Sequence, residues 1–302
     1  MASINVQNIT KKFGTQIAVN DVSFDVNSGE IFGLLGPNGA GKTTTIRIIL
    51  DIFKPDSGKV VLLGGPMDES KKNLIGYLPE ERGLYQDMPL DRCLTYLATL
   101  KGIDQATAQK RIQTWLERFD LIEHRKKKLK ELSKGMQQKA QLITTLIHDP
   151  ELIIIDEPFS ALDPVNTQMV KDLLREQRAA GKTVVMCTHQ MNQVEELCDR
   201  LVLINKGQAM LYGTLHEIQQ KFAKPAVLVS SPDPLPTPIA GVTSIDKVNG
   251  SSLLHLEKGI LPQTILQELM SARLTIDKFE IAMPSLDEIF IEVVKNQEVP
   301  HE

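Results

Sequence analysis

Nine consecutive residues, Gly36-Pro37-Asn38-Gly39-Ala40-Gly41-Lys42-Thr43-Thr44, bring three glycines, a lysine and two hydroxyls into the order of a phosphate-cradling loop. Glycines at 36, 39 and 41 let the backbone curl so that successive N–H groups point at anionic oxygens. Lys42 then reaches the β and γ phosphates of a nucleotide, and Thr43 offers its hydroxyl to Mg²⁺. Such a loop needs a strand before it and a helix after it, because the positive end of the helix faces the same anion. Both are expected: Ile31 to Leu35 is an apolar run of strand length, and Thr44 to Leu50 reads as a helix.

Further chemistry-bearing residues follow short apolar runs. Leu152-Ile153-Ile154-Ile155 leads to Asp156-Glu157, a buried parallel strand ending in two carboxylates. Ligands of open α/β sheets gather at such carboxyl ends. Asp156 is placed to hold Mg²⁺ and Glu157 to accept a proton from a water attacking the γ phosphate. Thr183 to Cys187 is another buried strand, and His189 follows it at the same edge. Ser133 caps a helix running from Gln137 to His148, and with Gly135 it makes a second phosphate-binding candidate. Phe13 lies on a loop upstream of Gly36, where spacing alone leaves two roles open: stacking on a base, or folding back onto the core. After Asn205-Lys206 come Gly207-Gln208 rather than the aspartate that reads guanine, which weighs against a GTPase.

Several elements must hold these residues in place. Short strand-like segments fill residues 3 to 35, and from Leu90 apolar residues recur at three and four, predicting a helical insert with Trp115 in its core. Asp163-Pro164 opens a helix that Gly181 closes. Residues 230 to 238 hold four prolines and read as an extended connector. Beyond it a small α/β domain is expected, with strands near 242–248, 252–256 and 275–282, a helix at 264–271, and a last helix opened by Ser285 and Glu288 in capping-box spacing.

Composition sets limits. The chain of 302 residues suits two domains, and 42% hydrophobic content supports a sizeable core. A net charge of −4 argues against nucleic acid as a partner, and the basic run from His124 to Lys130 reads as a solvated loop. Cys93, Cys187 and Cys198 are too few and too irregular for a disulfide framework, which suits a reducing cytosol. The N-terminus shows no basic-then-apolar leader and no apolar run reaches 18 residues, so neither secretion nor membrane spanning is expected.

The order GPNGAGKTT (36–44), LSKGMQQ (132–138), LIIIDEP (152–158), SALD (160–163) and His189 resembles the ATP-binding subunit of ATP-binding-cassette (ABC) transporters over roughly residues 3 to 222. The resemblance implies an α/β fold: a P-loop NTPase cassette with a RecA-like core, an antiparallel β subdomain and a helical subdomain at about 87–148. The domains would be the cassette at 1–222, a proline-rich connector at 223–241 and a C-terminal accessory α/β domain at 242–302.

Carried over, the cofactors are ATP and Mg²⁺. Catalysis falls to Glu157, His189 and Lys42. Nucleotide contacts fall to Phe13, to Gly36, Pro37, Asn38, Gly39, Ala40, Gly41, Lys42, Thr43 and Thr44, and to Ser133 and Gly135; metal contacts fall to Thr43, Glu80 and Asp156. Ser133 and Gly135 would bind the γ phosphate of ATP held by a second ATP-binding subunit, in a head-to-tail homodimer, with Asp163 at the interface. Separate integral membrane permease subunits are implied, which places the chain on the cytoplasmic face of the membrane. Two positions depart from the family pattern: Lys134 stands for glycine, and Glu80 stands for glutamine in the loop Gly76 to Glu80 that links metal to membrane subunit. Glutamate is a legitimate Mg²⁺ ligand. With the small C-terminal domain, these two features resemble sodium- or drug-exporter-like ATPases. The alternative reading is a soluble ABC ATPase acting on the ribosome or DNA, set against by the single cassette and the lack of a sustained heptad run.

Overall fold

Strand-forming sequence at the N-terminus makes two long strands, β1 (Ala2–Phe13) and β2 (Gln16–Asn27), paired antiparallel. The segments expected separately at 17–19 and 22–26 are one strand, bent where Asp21 takes a φ of 54° and the register slips. The computed structural model describes residues 2–81, 83–248 and 250–298, without the side chains of 296–298. Contacts divide it into two compact units between Leu215 and His216.

The first unit adds α1 (Lys42–Ile49) and β4 (Ser57–Leu62), which completes a three-stranded sheet of order β2-β1-β4. A second sheet holds β3 (Ile31–Leu35), β5 (Ile75–Leu78), β6 (Leu152–Asp156), β7 (Thr183–Thr188), β8 (Arg200–Asn205) and β9 (Gln208–Thr214). Its order is β5-β6-β7-β3-β8-β9, parallel except for β9. Strands β3, β6 and β7 are buried along their whole length, as aliphatic strands covered on both faces must be. Phe24 of β2 stacks on Phe32 of β3 with centroids 5.5 Å apart, tying the two sheets into one core.

The helical insert is present as α2 (Leu90–Leu100), α3 (Gln105–Arg118) and α4 (Lys134–Leu146). Trp115 is only half-buried, its ring tilted on Phe119 and covered by Arg118. In the basic run, Lys126 pairs with Asp91 and Lys130 with Asp87. Helices α5 (Pro164–Ala179) and α6 (Met191–Leu197) complete the unit. Residues 76–78, expected in a loop, belong to edge strand β5, because Ile75 and Leu78 are buried against β6.

The second unit opens in α7 (Leu215–Phe222) and builds a four-stranded antiparallel sheet from β10 (Ala226–Ser230), β11 (Val242–Val248), β12 (Ser251–Leu256) and β13 (Lys278–Ile281). Helices α8 (Pro262–Ser271) and α9 (Leu286–Glu298) accompany it. Ser285 and Glu288 exchange the expected capping-box bonds. The segment 223–241 is not a free connector. Its apolar run Ala226 to Val229 forms β10, between β12 and β13, and Ile239 is buried in this unit's core. The boundary therefore lies ahead of the expected residue 222.

Candidate functional site

Four neighbouring parallel strands, β5, β6, β7 and β3, end on the same edge of the larger sheet, and each hands a polar segment to that edge. After β3 comes the loop 36–41. Two of its glycines are required by the crossing of other backbone: a Cβ at Gly36 would lie 2.1 Å from the Ile204 carbonyl, and one at Gly41 2.3 Å from that of Ala18. Gly41, at φ 105°, also turns the chain into α1. Lys42 is buried at the first position of that helix, and its ammonium donates to the carbonyls of Gly36 at 2.7 Å and Pro37 at 3.1 Å. The loop thus holds its own cation beside the positive end of α1.

At the end of β6, Asp156 is almost fully buried and accepts a hydrogen bond from Thr43 Oγ1 at 3.0 Å. Burial pushes its carboxyl above the usual range, partly offset by bonds from the Cys187 thiol and Thr43. Glu157 leaves the strand at φ 51°, a left-handed conformation that costs a non-glycine residue on the order of 1–3 kcal/mol. The turn aims its carboxylate at β7. There Oε2 accepts from Thr188 Oγ1 at 3.0 Å, and Oε1 accepts from the His189 backbone N–H at 3.0 Å and from His189 Nδ1 at 2.6 Å. From the other side, the Gln138 amide of α4 donates to the carbonyls of Glu157 and Pro158, both at 3.3 Å.

Asn38 through Thr44, Glu80, Asp156 and Glu157 line one cleft of about 440 Å³, with Phe13 also on its wall. The Phe13 ring is 46% exposed and meets Phe53 edge-on at 5.5 Å, so it is offered to the cleft rather than folded into the core. His189 joins the cleft through Glu157. Gly36 and Pro37 contribute through their carbonyls to Lys42. Ser133 caps α4, its hydroxyl accepting from Met136 N at 3.2 Å, and Gly135 packs where a Cβ would meet the Ala161 carbonyl at 3.0 Å. Ser133 and Gly135 are absent from the cleft's lining. Sequence reasoning missed Gln16 and Ala18 on the cleft wall, and Thr188 and Gln138 around Glu157. Of these only Thr188, beside His189 at a strand end, carried a local signal.

The oxygen donors suit Mg²⁺. The Thr43 hydroxyl and the carboxylates of Asp156 and Glu80 share the cleft, and a carboxylate driven up by burial is one that a divalent cation would compensate. Among the described residues no cluster of three or more His, Cys, Asp or Glu would hold a metal alone. The set therefore fits an ion that shares its coordination with substrate phosphates and water.

The sequence profile of the ABC transporter family matches residues 19–160, and that of the ATP-binding protein DrrA1-3-like, C-terminal domain matches residues 213–294. The chain is 41% identical over 293 residues to the ABC transporter ATP-binding protein YhaQ of Bacillus subtilis, covering 96% of this chain and 98% of that one. It is 34% identical over 238 residues to the Nod factor export ATP-binding protein I of Burkholderia lata, covering 78% of each. A solved structure described as the ATP binding subunit of an ABC transporter superposes with a TM-score of 0.68 at 32% identity, covering 72% of this chain and 92% of its own.

Proposed function

The chain belongs to the ATP-hydrolysing ABC transporter family as an ATP-binding subunit, and from that membership we propose that two copies close head to tail on two Mg-ATP molecules and drive export through separate membrane permeases. Members of the family work with membrane permease components. On this reading the subunit docks on partners at the cytoplasmic face; among the described residues no helix is long and apolar enough to cross a membrane. The export direction rests on relatives such as the Nod factor export protein.

One observation carries the catalytic reading: a buried carboxylate, Glu157, is fixed by three hydrogen bonds next to the phosphate loop. Phosphoryl transfer needs positioning and charge neutralisation more than covalent chemistry. Loop N–H groups and the start of α1 hold the phosphates, while Lys42 turns its ammonium from loop carbonyls to the β and γ oxygens. Glu157 takes the proton of the attacking water. His189 Nδ1 donates to Glu157, and when substrate binds the ring turns that N–H toward a γ-phosphate oxygen. Phe13 stacks on the base. Mg²⁺, when held by Thr43, Asp156 and Glu80, would neutralise charge between the β and γ phosphates. Ser133 and Gly135, opening α4 outside the cleft's lining, complete the site of the second subunit.

Glu157→Gln tests this. The variant is expected to bind ATP, to lose hydrolysis by about 10²–10⁴-fold and to accumulate as an ATP-bound dimer in size-exclusion chromatography. A normal hydrolysis rate would remove Glu157 as the base, and an ATP-loaded monomer would remove the head-to-tail arrangement.

A further inference from the structure

Glu157 is held by two neighbours that differ in rigidity. The His189 side chain is half exposed, whereas Thr188 is fully buried at the end of β7, between β6 and β3. Threonine is stiff at its first side-chain torsion, so its hydroxyl is fixed once the strand is fixed. The direction of its proton follows from its two partners. The backbone N–H of Gln190 lies 3.1 Å from Thr188 Oγ1 and can only donate, so the oxygen accepts there. Its single proton is free for Glu157 Oε2 at 3.0 Å.

Each carboxylate oxygen therefore has a donor from β7 or the residue after it. The two differ in what happens when substrate binds. On the reading above, His189 turns toward the γ phosphate, and its side-chain hold on Oε1 is then shared. Thr188 has no such second duty. It also works against the turn at Glu157, whose left-handed backbone takes the carboxylate out of the line of β6 and leaves its direction to be set from outside.

We propose that Thr188 is a positioning residue for hydrolysis: its hydroxyl holds Oε2 so that Glu157 keeps its aim at the attacking water while the His189 ring engages substrate. The proposal rests on Glu157 being the base. A buried base released from one of its donors swings off the line of attack, and a misplacement of about 1 Å costs catalysis on the order of 10²-fold.

The test replaces the hydroxyl with a methyl of nearly the same size. Thr188→Val is expected to lower kcat for ATP by about 10–100-fold while KM and the Kd for ATP stay within about twofold, because nothing on the phosphate loop changes. Thr188→Ser, which restores the donor, brings kcat back to within about threefold of the parent. In the Glu157→Gln background, Thr188→Val lowers the residual rate no further, since the group it positions is already disabled. Parental kcat in Thr188→Val, an equal loss of binding and turnover, or an additive loss on top of Glu157→Gln would each overturn the proposal. Should Thr188→Val not accumulate as folded protein, Thr188→Ala supplies the same comparison against Thr188→Ser. Glu157→Gln measured alone separates the two failures: normal turnover there refutes the base itself, whereas slow turnover there with parental Thr188→Val refutes only the role of Thr188.

Discussion

The two units of this chain bury different kinds of atoms. Among the described residues the first encloses Lys42, Asp156, Glu157, Gln138 and Thr188, whereas Ser252 is the only polar or charged residue buried in the second. Left-handed backbone divides unevenly too: nine non-glycine residues described in the first unit adopt it, Glu157 on the cleft wall among them, against Arg273 alone in the second. A buried polar group left unpaired costs roughly 1–3 kcal/mol, so a fold encloses many only where each is bonded and used. The first unit is therefore organised around chemistry. The second is a sheet packed on aliphatic residues, Val227, Val229, Leu254, Ile265 and Leu269.

Three measurements press on this contrast. The largest effect is expected from Leu254→Ala, which empties the fully buried centre of the second core and costs about 2–5 kcal/mol of stability. Denaturant unfolding of the full chain should show that loss while the Kd for ATP stays within about twofold; a collapse of ATP binding would mean that the units are not independent. Next is Phe13→Ala, expected to weaken ATP binding by about 1–3 kcal/mol through lost stacking, measured by calorimetry with little change in stability because the ring is exposed. Unchanged affinity would return Phe13 to packing against Phe53.

The smallest effect concerns His148, whose Nε2 bonds the Ile75 carbonyl at 3.0 Å. Burial lowers its pKa from 6.5 to about 4. The folded state therefore keeps the ring neutral while the unfolded chain protonates it below about 6.5. Stability from this site is whole above that value and is lost as pH falls toward 4, by about 1 kcal/mol already at about pH 6. His148→Gln should flatten the dependence of Tm on pH between 7 and 5, and an unchanged slope would clear His148 of this role.

What the sequence showed plainly was local. The phosphate loop, the caps at Ser133 and Asp163 and the strand ending in Asp156-Glu157 lie within a few residues of their cause, and the helices and strand stand where those signals put them. Short elements escaped. Helix α6 buries Met191, Val194 and Leu197 but spans only seven residues, too few for its period to stand out. Strand β10 was masked by the prolines that follow it. Pairings across distance were invisible in principle: Thr188 meets Glu157 from 31 residues away, and Gln138 reaches it from 19. Spacing could not decide Phe13 either, because its exposure depends on where Phe53 stands.

The close approaches at Gly36 and Gly41 bear on how such a chain can change over generations. Because each meets another strand's carbonyl at little more than 2 Å from where a side chain would begin, selection for folding alone keeps both glycines. A duplicated copy released from hydrolysis would retain its loop glycines long after Glu157 and His189 had drifted. In a descendant of this protein, the loop would attest ancestry; the carboxylate and imidazole at the next strand ends would attest a working enzyme.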